Sequence, residues 1–153
     1  MSLYRINVPS PLGLLCVSER AGKIVALDWS PAEQESSSPI LAAAAQQLNA
    51  YFYCGLKQFE LPLAPAGTAF QKSVWHAMLR IPYGQTRGYG EIAHDIDSGP
   101  RAIGNACGHN PIPIIIPCHR ILASGRRVGG YTSPGGLDTK RFLLTLEGAR
   151  LQS

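Results

Sequence analysis

The stretch Ile112-Pro-Ile-Ile-Ile-Pro-Cys-His-Arg-Ile-Leu122 constrains this chain more than any other. It is almost wholly apolar, so it must be buried, and it reads as a buried strand. Pro113 lacks a ladder donor, which confines such a strand to an edge or a bulge. The difficulty lies in Cys118-His119-Arg120. Polar groups inside so apolar a run are costly unless partners satisfy them, so the fold must bring partners to them. A cysteine beside a histidine also suggests nucleophilic chemistry: the thiolate is the reactive form, and an imidazole can take the thiol's proton. Along a regular strand adjacent side chains point to opposite faces. Either the backbone turns at Pro117 or a water bridges the two groups. A carboxylate on the far side of His119 would fix its tautomer, and Glu147 is a candidate.

This run belongs to the second of two units. With 153 residues, 45% hydrophobic and 16% charged, the chain is globular and can divide into a small N-terminal unit and a larger C-terminal one. Residues 3–29 read as strands joined by turns at Pro9–Gly13 and Ala21-Gly22. Ile40–Tyr53 reads as a helix with Leu41, Ala45, Leu48 and Phe52 on one face and Gly55 as its stop. Residues 1–62 are therefore a small antiparallel sheet with a helix, a scaffold without evident chemistry. Leu61–Gly67 is a Pro/Gly-bearing link, and residues 67–153 form a mainly helical unit, which makes the chain α+β. Thr68 and Gln71 have the form of a capping box. The helix they open carries Phe70, Val74, Trp75, Met78 and Ile81 inward and ends at Pro82, an aromatic stripe that reads as core.

Tyr89–Ile96 and Arg101–Gly108, separated by Asp97-Ser-Gly-Pro100, make a helix-turn-helix pattern. Arg101, Gly104, Asn105 and Gly108 follow i, i+3, i+4, i+7 on the second helix. Each glycine costs about 1 kcal/mol relative to alanine. A face so bare lets a backbone approach something closely, with Arg101 as a long cation at its head; helix–helix packing at the glycines is the alternative. Gly125–Gly136 is a loop rich in Gly and Arg, and Leu137–Glu147 is a terminal helix with Leu137 and Leu144 inward.

A net charge of +4 suits a polyanionic partner without requiring one. No apolar run is long enough to span a membrane and the N-terminus lacks a signal-peptide core, so the expected compartment is the cytoplasm. The four cysteines include no C-x-x-C pair, which argues against a disulfide framework and a zinc site; no metal is expected. Cys16, Cys54 and Cys107 read as small buried hydrophobes.

Pro117-Cys118-His119-Arg120, within Gly108–Leu122, closely resembles the active-site signature of the O6-alkylguanine-DNA alkyltransferases, also called methylated-DNA–protein-cysteine methyltransferases. The resemblance runs from about Phe70 to Leu151, with Tyr89, Arg101, Asn110, Gly130-Tyr131 and Leu-Glu147-Gly in order; the N-terminal strands resemble the family's ribonuclease-H-like domain more loosely. It implies DNA repair by irreversible, single-use transfer of an alkyl group from O6-alkylguanine to Cys118, with O4-alkylthymine left open as a second substrate and no cofactor. His119 would be the base through a water, and Glu147 would orient it. Asn110 would tie the strand to the helix-turn-helix. Arg101 would enter the base stack, and Tyr89 would contact the flipped nucleotide and protonate the departing guanine. Ala102, Gly104, Asn105 and Gly108 would face DNA, while Tyr131, Thr132 and Cys107 would line the pocket. The implied partner is double-stranded DNA bound through the helix-turn-helix, with no obligate protein partner.

Three departures qualify the match. The loop Tyr131–Gly136 is longer than in some members, Cys107 stands where others carry a larger residue, and the N-terminal zinc ligands of some members have no counterpart. No metal-binding regulatory domain is present, so no transcriptional role is implied. Two rival readings remain: a lesion-binding module without transfer, against which Cys118 argues, and a cysteine hydrolase or acyltransferase, which leaves Arg101 and the glycine face unexplained.

Overall fold

The computed structural model describes residues 2–123, 128–129, 131 and 134–150. It falls into two compact units, residues 1–66 and 67–153.

In the first unit, β1 (Leu3–Ser10), β2 (Gly13–Arg20) and β3 (Lys23–Asp28) form an antiparallel sheet in the order β1-β2-β3. The hairpins turn at the expected places, with Gly13 and Gly22 at positive φ. The central strand β2 is covered on both faces, and Leu15, Cys16 and Val17 are fully buried. A bulge at Ser18/Glu19 shifts its register with β3. Helix α1 (Pro39–Tyr53) packs on the sheet through Leu41, Ala44, Leu48, Tyr51 and Phe52, with Ser38 Oγ accepting the Leu41 N–H as N-cap. Cys54 caps this helix and is exposed, contrary to its expected burial. The start of the expected link is ordered by pairing: Ile24 N–H donates to the Pro62 carbonyl and Ala64 N–H to the Ile24 carbonyl, both at 2.8 Å.

The second unit opens with α2 (Ala69–Leu79), and Thr68 and Gln71 make both bonds of the capping box. Trp75 is core, its Nε1–H donating to the Ala106 carbonyl at 2.8 Å. Phe70, in the first turn, is 37% exposed rather than inward. A two-residue strand β4 (Arg87–Gly88) leads into α3 (Tyr89–Asp95), which packs against α4 (Pro100–Gly108). Arg87 braces α3 from its N-terminal side through Asp95 at 2.6 Å and Glu91 at 3.3 Å. A 3₁₀ turn (Cys118–Arg120) and β5 (Ile121–Leu122) follow, and α5 (Leu137–Leu146) closes the described order. Among the described residues no helix is long and apolar enough to cross a membrane.

From Ile112 to Pro117 the apolar run is not a strand; only its end, Ile121–Leu122, is one, as β5. Asn110 replaces the missing ladder: its Oδ1 accepts the Ile112 N–H at 3.0 Å and its Nδ2 donates to the Ile116 carbonyl at 2.9 Å. The Ile116 N–H closes the loop on the Ile112 carbonyl at 2.9 Å. Ile114 turns the chain at φ 74°, a region that a β-branched residue rarely occupies. The four isoleucines are buried all the same. Apolarity demanded burial, and a compact loop tied by one side chain met that demand as well as a sheet would.

Candidate active site

Pro117 (φ −82°, ψ 66°) makes an inverse γ-turn, in which the Cys118 N–H reaches the Ile116 carbonyl at 2.8 Å. The 3₁₀ turn then carries Cys118, His119 and Arg120, all buried. A turn at Pro117 was one of the two ways open to the Cys-His adjacency, and the backbone makes it. Parallel pairing of β4 with β5, Arg87 to Ile121 and Gly88 to Leu122, fixes the start of α3 beside it.

Below the turn lies a closed ionic array. His119 Nε2 donates to Glu147 Oε2 at 2.8 Å; since a carboxylate can only accept, the ring proton sits on Nε2 and Nδ1 presents a lone pair. Nδ1 is buried and meets no hydrogen-bond partner among the described residues. Arg120 takes both carboxylate oxygens, Nε to Oε1 at 2.9 Å and Nη2 to Oε2 at 3.0 Å, while Nη1 donates to the Ile81 carbonyl at 2.7 Å. The Gly84 N–H points at Glu147 Oε1 from 3.4 Å. At Gly84 (φ 79°) a Cβ would lie 3.0 Å from the Glu147 carbonyl, so the turn after α2 closes on the end of α5 only because the side chain is missing.

The charge states follow. Burial alone would raise the Glu147 carboxyl, but hydrogen bonds from His119 and Arg120 overcome it and hold the group at about 2. Burial pushes His119 down, against the pull of Glu147, so the resting imidazole is neutral and fit to accept a proton. Burial pushes the Cys118 thiol up; Asn110 and Tyr131, close enough to hydrogen-bond a thiolate, and the charge of Lys140 only partly offset this. His119 and Glu147 therefore do not depress the resting thiol. At rest Cys118 keeps its proton, because a desolvated anion is worse than a neutral thiol beside a neutral imidazole. Tyr89 is held at about 12 by burial and by the two nearby thiols, and burial likewise lifts Cys107 to about 12.

Along α4, Arg101, Asn105 and Gly108 are exposed and Ala102 and Gly104 half-buried. A Cβ at Gly104 would meet nothing nearer than Tyr89 Cε1 at 4.0 Å, so internal packing does not require the glycine. Tyr89, Arg101 and Gly104 share a cavity of about 720 Å³ with Arg87, Glu91 and Leu122; Cys118 is not in its wall. Cys107 and Tyr131 join the thiol's surroundings, whereas Thr132 and Gly130 lie outside the described residues.

Sequence reasoning gave Arg120 no role and missed Lys140, which is fully buried. A signal existed. Lys140, Leu143, Leu144 and Glu147 follow i, i+3, i+4, i+7, so both charged residues share the face of two core leucines. Leu137, expected on the inner face, is 46% exposed.

Residues 69–149 match the model of the 6-O-methylguanine DNA methyltransferase DNA binding domain, and residues 3–65 that of its ribonuclease-like domain. The chain belongs to the 6-O-methylguanine DNA methyltransferase family. A methylated-DNA–protein-cysteine methyltransferase of Methanosarcina barkeri is 44% identical over 95% of this chain and 97% of its own. The crystal structure of the Mycobacterium tuberculosis O6-methylguanine methyltransferase aligns with a TM-score of 0.83 at 39% identity, covering 99% of this chain and 96% of that one. A structure of the Mycobacterium tuberculosis protein in complex with DNA aligns at 0.82 and 41% identity, over 99% and 95%.

Proposed function

We propose that Cys118 is the alkyl acceptor of this DNA-repair methyltransferase and that His119, Glu147 and Arg120 form the relay beneath it. The protein acts on O6-alkylguanine in double-stranded DNA and transfers the alkyl group to a cysteine. The observation that carries the assignment to Cys118 is the buried His119–Glu147–Arg120 array beside the thiol, with the Nδ1 lone pair uncommitted among the described residues.

The steps follow from the charge states. Cys118 gives its proton to His119 Nδ1, directly or through a water, and Glu147 stabilises the imidazolium. The sulfur forms a bond to the alkyl carbon while the carbon–O6 bond breaks, its electron pair leaving with guanine. Tyr89, which keeps its proton at neutral pH, supplies one to the departing base. Asn110 holds the loop that aims Cys118. A base inside a duplex is unreachable, so the nucleotide must be flipped at a cost of a few kcal/mol. Arg101, exposed at the head of α4, would fill the gap, and Ala102, Gly104, Asn105 and Gly108 would let the helix approach the DNA backbone. Cys107, Tyr131 and Thr132 would line the pocket for the base. The product is a thioether, which nothing in this scheme reverses, so each molecule acts once, without a cofactor or an obligate protein partner. Its place of work would be the cytoplasm, where free thiols persist.

The test is stoichiometry. Incubation with duplex DNA containing O6-methylguanine, followed by digestion and mass spectrometry, should place one methyl on Cys118 and none on Cys16, Cys54 or Cys107. Cys118→Ser should accept none. Binding without transfer would favour a lesion-recognition module, and repeated turnover a hydrolase; either result overturns the assignment.

A further inference from the structure

One buried ionisable group of the C-terminal unit has no part in the relay above. Lys140 lies on the inner face of α5 with no solvent exposure. Its Nζ sits 5.8 Å from the centroid of the Tyr89 ring, and a Cβ at Gly129 would come within 3.8 Å of it. The ammonium is thus enclosed by the aromatic residue that opens α3, the backbone at Gly129 and its own helix. The ionisable groups that feel it are Cys118 and His119 on the 3₁₀ turn and Cys107 on α4, while Arg120 and Glu147 bind one another at the far nitrogen of His119.

We propose that Lys140 is the fixed cation that stabilises the Cys118 thiolate during attack. This rests on the reading of Cys118 as the acceptor. The need for such a group follows from the charge inventory. Arg120 already neutralises Glu147 through two hydrogen bonds, so that pair is spent. When Cys118 passes its proton to His119, a buried sulfur carries negative charge until the new S–C bond consumes it. The imidazolium is one counter-charge, but its proton can return. An ammonium enclosed in the same unit is a counter-charge that does not reverse the step. It also penalises a second positive charge on His119, which it pushes down together with burial. Lys140 therefore favours the anion on sulfur without letting the imidazole hold a proton at rest.

Burial lowers Lys140 to about 8, with Cys118 and Cys107 pulling it back up. The cation is accordingly present at neutral pH and is lost as pH rises through about 8. Since an opposite charge at close range lowers an acid by about 1–3 pH units, its loss should cost roughly tenfold or more in thiolate at pH 7.

The experiment uses the full chain and free O6-benzylguanine, which needs no DNA contact, with iodoacetamide as a second probe of Cys118. In Lys140→Met the pH midpoint of Cys118 alkylation should rise by about 1–2 units, and single-turnover transfer at pH 7 should slow by about the matching factor. Lys140→Arg should keep both near the parental values. In the parental protein the rise of rate with pH should bend near pH 8; in Lys140→Arg the bend should vanish. An unchanged Cys118 midpoint in Lys140→Met overturns the proposal even if transfer slows, because packing alone would then explain the loss. Should Lys140→Met fail to fold by circular dichroism, Lys140→Gln is read against the same expectation, and a parental profile without a bend overturns the proposal unaided. A methyl found on another cysteine of the parental protein would instead overturn the acceptor assignment.

Discussion

Replacing Glu147 with glutamine removes one charge from the array and leaves nearly the same shape. In the folded protein this carboxylate is held at about 2 against an ordinary 4.5, a gap worth about 3 kcal/mol. The amide cannot accept both guanidinium bonds, and its own N–H₂ must face a donor, so Arg120 is left as a buried cation short of a partner. Breaking a buried pair in this way costs about 3–5 kcal/mol, a large share of the roughly 5–15 kcal/mol that holds a domain together. Urea unfolding followed by circular dichroism at pH 7 should show that loss. A depressed carboxyl contributes stability above its unfolded value and loses it as pH falls through the folded one. The gap between parent and variant should therefore shrink by about 3 kcal/mol between pH 4.5 and 2. His119, also pushed down by burial, adds a separate acid loss that begins near its ordinary 6.5 and persists in the variant. A difference below 1 kcal/mol at pH 7, or one that stays constant down to pH 2, would refute this account of the array.

Three further outcomes are expected. Arg101→Ala should slow repair of O6-methylguanine in duplex DNA more than reaction with free O6-benzylguanine, measured as single-turnover rates; equal losses would remove its part in flipping. Tyr89→Phe should slow alkyl transfer while leaving duplex affinity within about twofold, because only a proton donor is lost, and a fluorescence titration beside the transfer assay separates the two. Asn110→Ala should destabilise the protein by about 2–5 kcal/mol, since it strands the Ile112 N–H and the Ile116 carbonyl, and should push the Cys118 thiol further up, so that its iodoacetamide midpoint rises.

What the sequence disclosed was whatever local rules decide. Alternation and turn glycines gave the three-stranded meander, Thr68 sits where a helix cap must, and Pro100 opens α4. The apolar run misled because burial and strand form share one signature. Its shape is set by a single asparagine and by a positive φ at Ile114, neither of which leaves a pattern. The direction of the Cys118 shift is likewise not legible in the motif. Motif chemistry argues from neighbours in sequence, whereas desolvation depends on everything packed around the sulfur. Lys140 was hidden because lysine is presumed to face water, although its spacing with Glu147 placed it inward. Phe70 and Leu137 erred the other way, as first-turn residues whose helices had yet to meet the core.

The tie between His119 and Glu147 spans 28 residues of chain, and that span has a meaning in time. A ribosome delivers Cys118 and His119 before α5 exists, so the nascent chain holds the thiol and the imidazole without the carboxylate that closes the array. The array closes once α5 is made, when Arg120 can bind Glu147 and the turn at Gly84 can seat beneath it. On the proposed reading, a reagent that fires once stays unarmed until α5 has joined it.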